Sequence, residues 1–313
     1  MALGVSGAPS PERPDHTGGL EAFVPDHADL LRADMILVCD TGNAAVGIPA
    51  ATVSLRGMVN VVVTVEALAG ELHSGMFGGA APDALAALVA MLATLRDSEG
   101  NTTISGLDNS QTWSGEKHPP DQFRHDAGVV DGASLVGDGS VSDMLWARPA
   151  VTILGIDCAP VVGSASSITP SAAARLNLRI PPGMAPEKAR DALVEQLRAA
   201  APWGVKVAVD TEAMGAPFRA ATEGPGYQAI NDAMREAFGR PMASLGQGGS
   251  IPLCNVFADT YPDAEMILMG VEEPQCLIHA PNESVDPNEI EKMALAEALF
   301  LRDYGSRRVP AGR

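Results

Sequence analysis

Four cysteines in 313 residues, Cys39, Cys158, Cys254 and Cys276, are too few and too widely spaced to form a C-x-x-C pair. A zinc ribbon, a thioredoxin-type motif and a disulfide-built miniprotein are therefore excluded, and buried free thiols are expected. Basic residues are also scarce. The chain has 21 Lys and Arg against 39 Asp and Glu, a formal charge of −18, and such a field repels phosphate backbones and anionic membrane surfaces. Neither nucleic acid nor a membrane is an expected partner; the acidity suits solubility, metal cations or cationic substrates. No stretch reaches 18 consecutive apolar residues, so no membrane-spanning helix is predicted. Residues 1–20 lack the basic start and apolar run of a secretory signal, and a cytoplasmic protein is expected. The rest of the composition, 46% hydrophobic and 19% charged, is that of a folded globular chain of one large or two domains.

Residues 1–19 are rich in Gly, Pro, Ser and charge without periodicity and read as a flexible lead-in. A short helical stretch to about Leu31 precedes an apolar run at 35–39, short enough for a buried strand, which ends at Asp40-Thr-Gly-Asn43. Strands are predicted at 51–55 and 59–68, the second β-branched enough for a central position. A helix follows whose predicted buried face carries Ala84, Leu85, Leu88, Val89, Leu92 and Leu95. Residues 98–139 are polar, Gly-rich and aperiodic and read as a long surface insertion. Strands at 151–156 and 173–180, a helix opened by Pro186 and carrying Ala189, Leu193 and Leu197, and a strand at 205–209 complete a strand-helix-strand-strand-helix-strand order. That is the order of a ferredoxin-like α+β unit. Beyond it come a helix near 227–238, a Gly-rich turn at 246–250, a strand at 266–269, and a last helix with Ile290, Met293, Ala294, Ala298 and Leu301 on one face. The expected architecture is an α/β domain interrupted by the α+β unit, with boundaries at 1–52, 53–215 and 216–313.

Three places carry chemistry-capable residues without core-like periodicity. Asp40 ends an apolar strand, where α/β sheets place ligand-binding groups, although Asp-Thr-Gly is equally a good turn. His73, flanked by glycines ahead of a helix, could lie beside an anion site. In the C-terminal part, Gly248-Gly-Ser250 lacks both the Walker lysine and the dinucleotide-binding spacing and reads locally as a tight turn. His279 precedes the last helix and is either a metal ligand or a satisfied loop histidine.

Six segments taken in order resemble one family. They are Gly19-Leu-Glu-Ala-Phe23, Ala33 to Asn43, Ser54-Leu-Arg-Gly57, Leu72 to Gly79, Gly248 to Pro252 and Ile278 to Glu283. Together they look like the M20 metallopeptidases, nearest the carnosinase-like dipeptidases. The resemblance implies a zinc-aminopeptidase-type α/β catalytic domain interrupted by a ferredoxin-like lid that forms a homodimer. It also implies two zinc ions, with manganese or cobalt as alternatives, and a small peptide substrate. Carried over, Asp40 and His279 would be metal ligands and His73 would donate to the scissile carbonyl oxygen. Arg179 would grip the substrate carboxylate with Gly249 and Ser250, and Ser167 would be a hydroxyl contributed by the partner's lid.

The sequence also departs from the family. No His-x-Asp motif or bridging Asp precedes Asp40, and the expected Glu-Glu pair is replaced by Arg13-Pro14, with Glu12 and Asp15 out of pattern. The mechanism needs a water activated between two cations and a glutamate to shuttle its proton. The catalytic domain is accordingly expected to be incomplete, as a fragment or a diverged chain, and hydrolysis impaired. A non-catalytic dimerisation or ligand-binding module is the alternative, and an N-acyl amino acid amidohydrolase the alternative among enzymes.

Overall fold

Val59, Val61, Val63 and Val65 alternate with Met58, Asn60, Val62 and Thr64, and the alternation decides where their strand sits. The four odd-numbered valines are fully buried and their neighbours half-buried, the signature of a strand with one face on a core. The computed structural model describes residues 19–308; the lead-in expected over residues 1–19, with Glu12, Arg13, Pro14 and Asp15, lies outside the described residues except for Gly19. In chain order the elements begin with α1 (Gly19–Asp26), α2 (Ala28–Leu31), β1 (Met35–Val38), β2 (Ala50–Leu55), β3 (Gly57–Glu66), β4 (Leu72–His73), α3 (Ser74–Phe77) and α4 (Ala84–Ala93). They continue with α5 (Pro120–Asp126), β5 (Ala150–Asp157), β6 (Ser167–Ile168), β7 (Ser171–Ile180), α6 (Pro186–Ala199) and β8 (Lys206–Gly215). The last are β9 (Phe218–Arg219), α7 (Pro225–Phe238), β10 (Ala243–Gln247), α8 (Pro252–Thr260), β11 (Glu265–Leu268) and α9 (Pro287–Arg308).

Two sheets organise them. The first, in the order β5-β7-β3-β8, is antiparallel throughout, and with α4 and α6 it gives the ferredoxin-like arrangement expected from the element order. Its core joins the β3 valines and Leu176, Leu178 and Ile180 of β7 to Leu88 and Met91 of α4 and Leu193 and Leu197 of α6. The second is mixed, in the order β1-β11-β2-β10 with β9 on β2; β1 runs parallel to β11 and β10 parallel to β2. Ile230, Met234, Met293 and Phe300 of α7 and α9 pack on one side with Ala51 and Ile267. Cys254 of α8 packs on the other with Leu55, Met266 and Leu268. The chain changes sheet at Arg56, between β2 and β3, and returns after Gly215.

Several local expectations are corrected. On α4 the buried line is Ala84, Ala87, Leu88, Met91 and Leu92, continued by Leu95, whereas Val89 is 53% exposed. The small Ala84 and Ala87 let the helix approach the sheet along their own line, leaving Val89 about 100° round the axis. On α9 the predicted face fails at Ile290, Ala294, Ala298 and Leu301, all exposed; Met293, Ala296, Leu299 and Phe300 are buried instead. The rotation is set by Glu289, fully buried at the start of the helix, where its carboxylate accepts from Asn43 Nδ2 at 2.6 Å and from the Gly47 amide at 2.7 Å. Residues 98–139 are more than a surface insertion. They contain α5, bury Asn101, Thr102 and Ile104, and reach the mixed sheet, where the Glu116 amide donates to the Ser244 carbonyl oxygen at 3.0 Å. Trp146 packs edge-on to Trp113, with ring centroids 5.2 Å apart, and lies directly over Gly246; a Cβ there would come within 2.4 Å of its Cγ. Finally, between the Gly-rich turn at 246–250 and the strand at 266–269, where the sequence reading placed no element, stands α8; Pro252 opens it at the first helical turn.

Candidate functional site

The seven residues singled out in the sequence fall into three groups. The first lies on the small ladder β4–β6, where His73 and Ser167 are direct cross-strand partners. His73 caps α3, its Nδ1 accepting from the Gly75 amide at 3.1 Å. With Nδ1 occupied as an acceptor, the ring proton sits on Nε2, and the exposed imidazole presents a donor outward.

The second group sits where the chain passes between the sheets. Arg179 lies near the end of β7, opposite Met58 of β3 and Ala150 of β5. The turn after β10 brings in Gly248, Gly249 and Ser250; Gly249 is exposed, and a Cβ on Gly215, at the end of β8, would lie 3.9 Å from Ser250 Oγ. Arg56 joins them, a residue that local sequence reasoning had not singled out as functional. It is 9% exposed, its amide donates to the Gln247 carbonyl oxygen at 3.1 Å, and its Nε and Nη1 are buried without a hydrogen-bond partner. Its Nη2 lies against the turn, 2.8 Å from where a Cβ on Gly248 would be, so only glycine leaves the guanidinium its place. Burial, and then the like charge of Arg179, draw its pKa down to about 10; burial also lowers that of Arg179. Arg56 thus faces the glycine-rich turn ahead of the uncapped N-terminus of α8, with Arg179 within electrostatic reach of it. Thr52 and Ser54 on β2 add two buried hydroxyl oxygens without partners.

The third group surrounds the C-terminal ends of β1 and β11. Asp40 follows β1, and Thr41 to Asn43 run along Met269 to Glu272: Thr41 N donates to Met269 O at 3.3 Å and Asn43 N to Glu272 O at 2.6 Å. Burial raises the Glu272 carboxyl, the charges of Asp40 and Glu283 raise it further, and His279 opposes them. Asp40 and His279 therefore lie within electrostatic reach of the same carboxylate. Asp40 also acts on Cys254 in α8, the helix that follows the Gly248–Ser250 turn. His279 has φ +62°, and Leu277 and Asn282 are also left-handed, an arrangement that non-glycine residues hold only when their surroundings enforce it. A cleft of about 1240 Å³ opens beside this turn, lined by Gly42, Asn43, His118, Asp126, Trp146 and Glu272 among others.

The metal pair implied by the resemblance does not fit this donor set. Among the described residues no three His, Cys, Asp or Glu side chains converge to hold a metal ion, and structural or catalytic zinc needs three or four protein ligands. Asp40 and His279 remain a partial set, with Glu272 and Glu283 as the neighbouring carboxylates. No helix among the described residues is long and apolar enough to cross a membrane.

Comparison with known proteins places this geometry. Residues 53–205 match the peptidase dimerisation domain of the M20 family. The cysteinylglycine-S-conjugate dipeptidase of Corynebacterium striatum is 42% identical over 290 residues, covering 92% of this chain and 64% of that protein. The Cys-Gly metallodipeptidase DUG1 of Saccharomyces cerevisiae is 24% identical over 286 residues, covering 85% of this chain and 58% of that one. The solved structure of the di-peptidase Dug1p from the same yeast superposes with a TM-score of 0.75 at 21% identity, over 93% of this chain and 63% of the other. The chain spans less than two thirds of the length of these relatives. Residues 53–205 thus carry the M20 peptidase dimerisation domain, and along 92% of its length the chain is similar to a dipeptidase.

Proposed function

We propose that the chain serves dipeptide hydrolysis of the M20 kind by gripping the substrate's C-terminal carboxylate and polarising its scissile carbonyl. The observation that carries the reading is a pair of guanidinium groups, Arg56 against the Gly248 turn and Arg179 within electrostatic reach of Arg56, in a chain 42% identical to a dipeptidase. A planar guanidinium suits a carboxylate through two parallel hydrogen bonds, with the Gly249 amide and Ser250 hydroxyl as further donors. His73 Nε2–H is the donor suited to the carbonyl oxygen as negative charge builds there, with Ser167 beside it. In this reading Asp40 and His279 would be two of the residues that hold a divalent ion, with zinc as the proposed ion and manganese or cobalt as alternatives, and no step through it is assigned to these two alone. The free thiols, two of them exposed, suit a reducing cytoplasmic setting. Calorimetric titration of cysteinylglycine into the purified chain tests the reading. Binding that Arg179→Met weakens at least tenfold is expected, whereas equal affinity in the two chains overturns it.

A second reading, an association module without catalysis, is favoured by that partial donor set and by the free edge of β5. Among the described residues this strand pairs only with β7, and it exposes Ile153, Leu154 and Ile156 at 45%, 50% and 41%, an apolar edge suited to a second copy. Light scattering is expected to give a dimer that Ile156→Lys dissociates; a well-folded wild-type monomer would remove the lid-mediated homodimer from both readings.

A further inference from the structure

Asp126, the last residue of α5, carries a carboxylate that the chain itself only half satisfies. Its side chain is 9% exposed; Oδ1 accepts from Gln122 Nε2 at 2.7 Å and lies 3.3 Å from His125 Nδ1. Oδ2 is buried without a hydrogen-bond partner, a costly state for a carboxylate oxygen. The ring facing it is His118, whose Nε2 is 3.9 Å away, beyond hydrogen-bond reach. The other nitrogen of that ring decides what Nε2 can offer. His118 Nδ1 lies 3.3 Å from the Pro119 carbonyl oxygen, which can only accept, so Nδ1 donates and Nε2 of the neutral ring is an acceptor. Two acceptors therefore face one another, and neither can satisfy the other. One nitrogen about 2.9 Å from each would give both a hydrogen bond.

The surroundings define what carries that nitrogen. His118, Asp126 and Trp146 all line the cleft of about 1240 Å³. The His118 ring is held in place, its centroid 5.6 Å from that of Phe123 and 6.4 Å from that of Trp146, and its amide donates to Ser142 Oγ at 2.7 Å. An indole beside a carboxylate attracts a cation and gives an alkyl stem an apolar wall. Among the other lining residues Glu116, Asp121, Glu272 and Glu273 outnumber Lys117 and Arg240, so the field in the cleft also favours positive charge. We propose that the His118–Asp126 pair is a binding site for an alkylammonium group, a protonated primary amine whose stem lies along Trp146. The ammonium donates to Asp126 Oδ2 and to His118 Nε2, the first a charge-assisted bond. The site uses neither Arg179 and the Gly248–Ser250 turn nor Asp40 and His279, so it stands whether or not the carboxylate reading does. The same group is offered by a free amine and by the basic side chain of a peptide.

The test is tryptophan fluorescence titration of the full chain with n-pentylamine and with n-pentanol at matched ionic strength. The Trp203→Phe background is used, because Trp203 is 65% exposed while Trp113 and Trp146 stack edge-on at the cleft and then report alone. The amine is expected to bind at least tenfold more tightly than the alcohol. Asp126→Asn should weaken the amine at least tenfold and leave the alcohol unchanged, since its amide donates to His118 Nε2 and removes the charge. Arg179→Met should bind the amine as the parent does. No saturable response, equal affinity for amine and alcohol, or full amine affinity in Asp126→Asn would each overturn the proposal; the first is the result expected if His118 simply carries its own proton toward Asp126. If Asp126→Asn fails to fold, His118→Phe is read instead, with at least threefold weaker amine binding expected and unchanged affinity overturning the site. Lysylglycine, titrated into Arg179→Met so that the carboxylate grip plays no part, distinguishes the two sources. Binding tighter than pentylamine assigns the ammonium to a peptide side chain and weaker binding assigns it to a free amine, and both uphold the site.

Discussion

Glu289 ties the turn that follows Asp40 to the last helix, and its removal should be felt throughout the mixed-sheet domain. The carboxylate is fully buried; one oxygen accepts from Asn43 Nδ2 at 2.6 Å, and the other from the Gly47 amide at 2.7 Å. Asn43 in turn accepts from the Ala50 amide through Oδ1 at 2.9 Å, which fixes the start of β2. Glu289→Ala leaves a buried donor, Asn43 Nδ2, and a half-buried one, the Gly47 amide, without an acceptor, each loss about 1.5–3 kcal/mol when a charged partner is involved. Together they amount to about 3–5 kcal/mol, since the two bonds share one group and are not independent. Glu289→Gln keeps one acceptor oxygen but turns an NH₂ toward the other donor, so about half of that loss is expected. Urea unfolding followed by circular dichroism, with an unchanged slope against denaturant, measures both. A loss under about 1 kcal/mol for Glu289→Ala would mean that water or a neighbouring group takes over the bonds, and would refute the tie.

Three further outcomes follow from packing and burial. Leu88→Ala should lower stability by about 2–5 kcal/mol, while Val89→Lys, one residue on, should change it by less than about 0.5 kcal/mol; similar values in urea unfolding would place the wrong face of α4 on the sheet. Gly246→Ala should lower the melting temperature, because its Cβ would displace the Trp146 ring, and in Trp146→Ala the same substitution should be tolerated; a non-additive double-mutant cycle is the signature, and simple additivity would contradict the contact. The Cys254 thiol is pushed from its ordinary 9.0 up to about 12 by burial and then by Asp40. The folded state therefore keeps a proton that the unfolded state releases, so this contribution to stability is complete below about pH 9 and is lost as pH rises toward 12. At about 1.36 kcal/mol per unit the loss reaches about 4 kcal/mol. Cys254→Ala should flatten stability across that window in pH-dependent unfolding, and an unchanged slope would contradict the burial argument.

Much of this was legible in the sequence because hydrophobic period is a direct image of burial. The β3 valines, the β7 strand and the Ala189, Leu193, Leu197 face of α6 fell where their spacing predicts. The failures have physical causes. The rotation of α9 depends on a buried glutamate that looks, in sequence, like any acidic residue in a first helical turn. α8 begins just after the glycine-rich turn at 246–250, whose composition masks its opening proline. At the candidate site, His73, Ser167, Arg179 and the Gly248–Ser250 turn were singled out through motif resemblance alone, since nothing in their local period marks them. Arg56 lay inside one of those motifs yet carried no signal of its own, because a buried, unpartnered guanidinium reads like a surface one until the glycine turn closes over it.

The proposed carboxylate-gripping role stands beside a donor set that, among the described residues, does not assemble a metal site. Metal stoichiometry by inductively coupled plasma mass spectrometry, on the purified and extensively dialysed chain, tests it most directly. Fewer than about one tightly held divalent ion per chain is predicted, because Asp40 and His279 alone cannot fix one. Two retained ions per chain, lost in His279→Ala, would contradict the account and show a complete dinuclear centre.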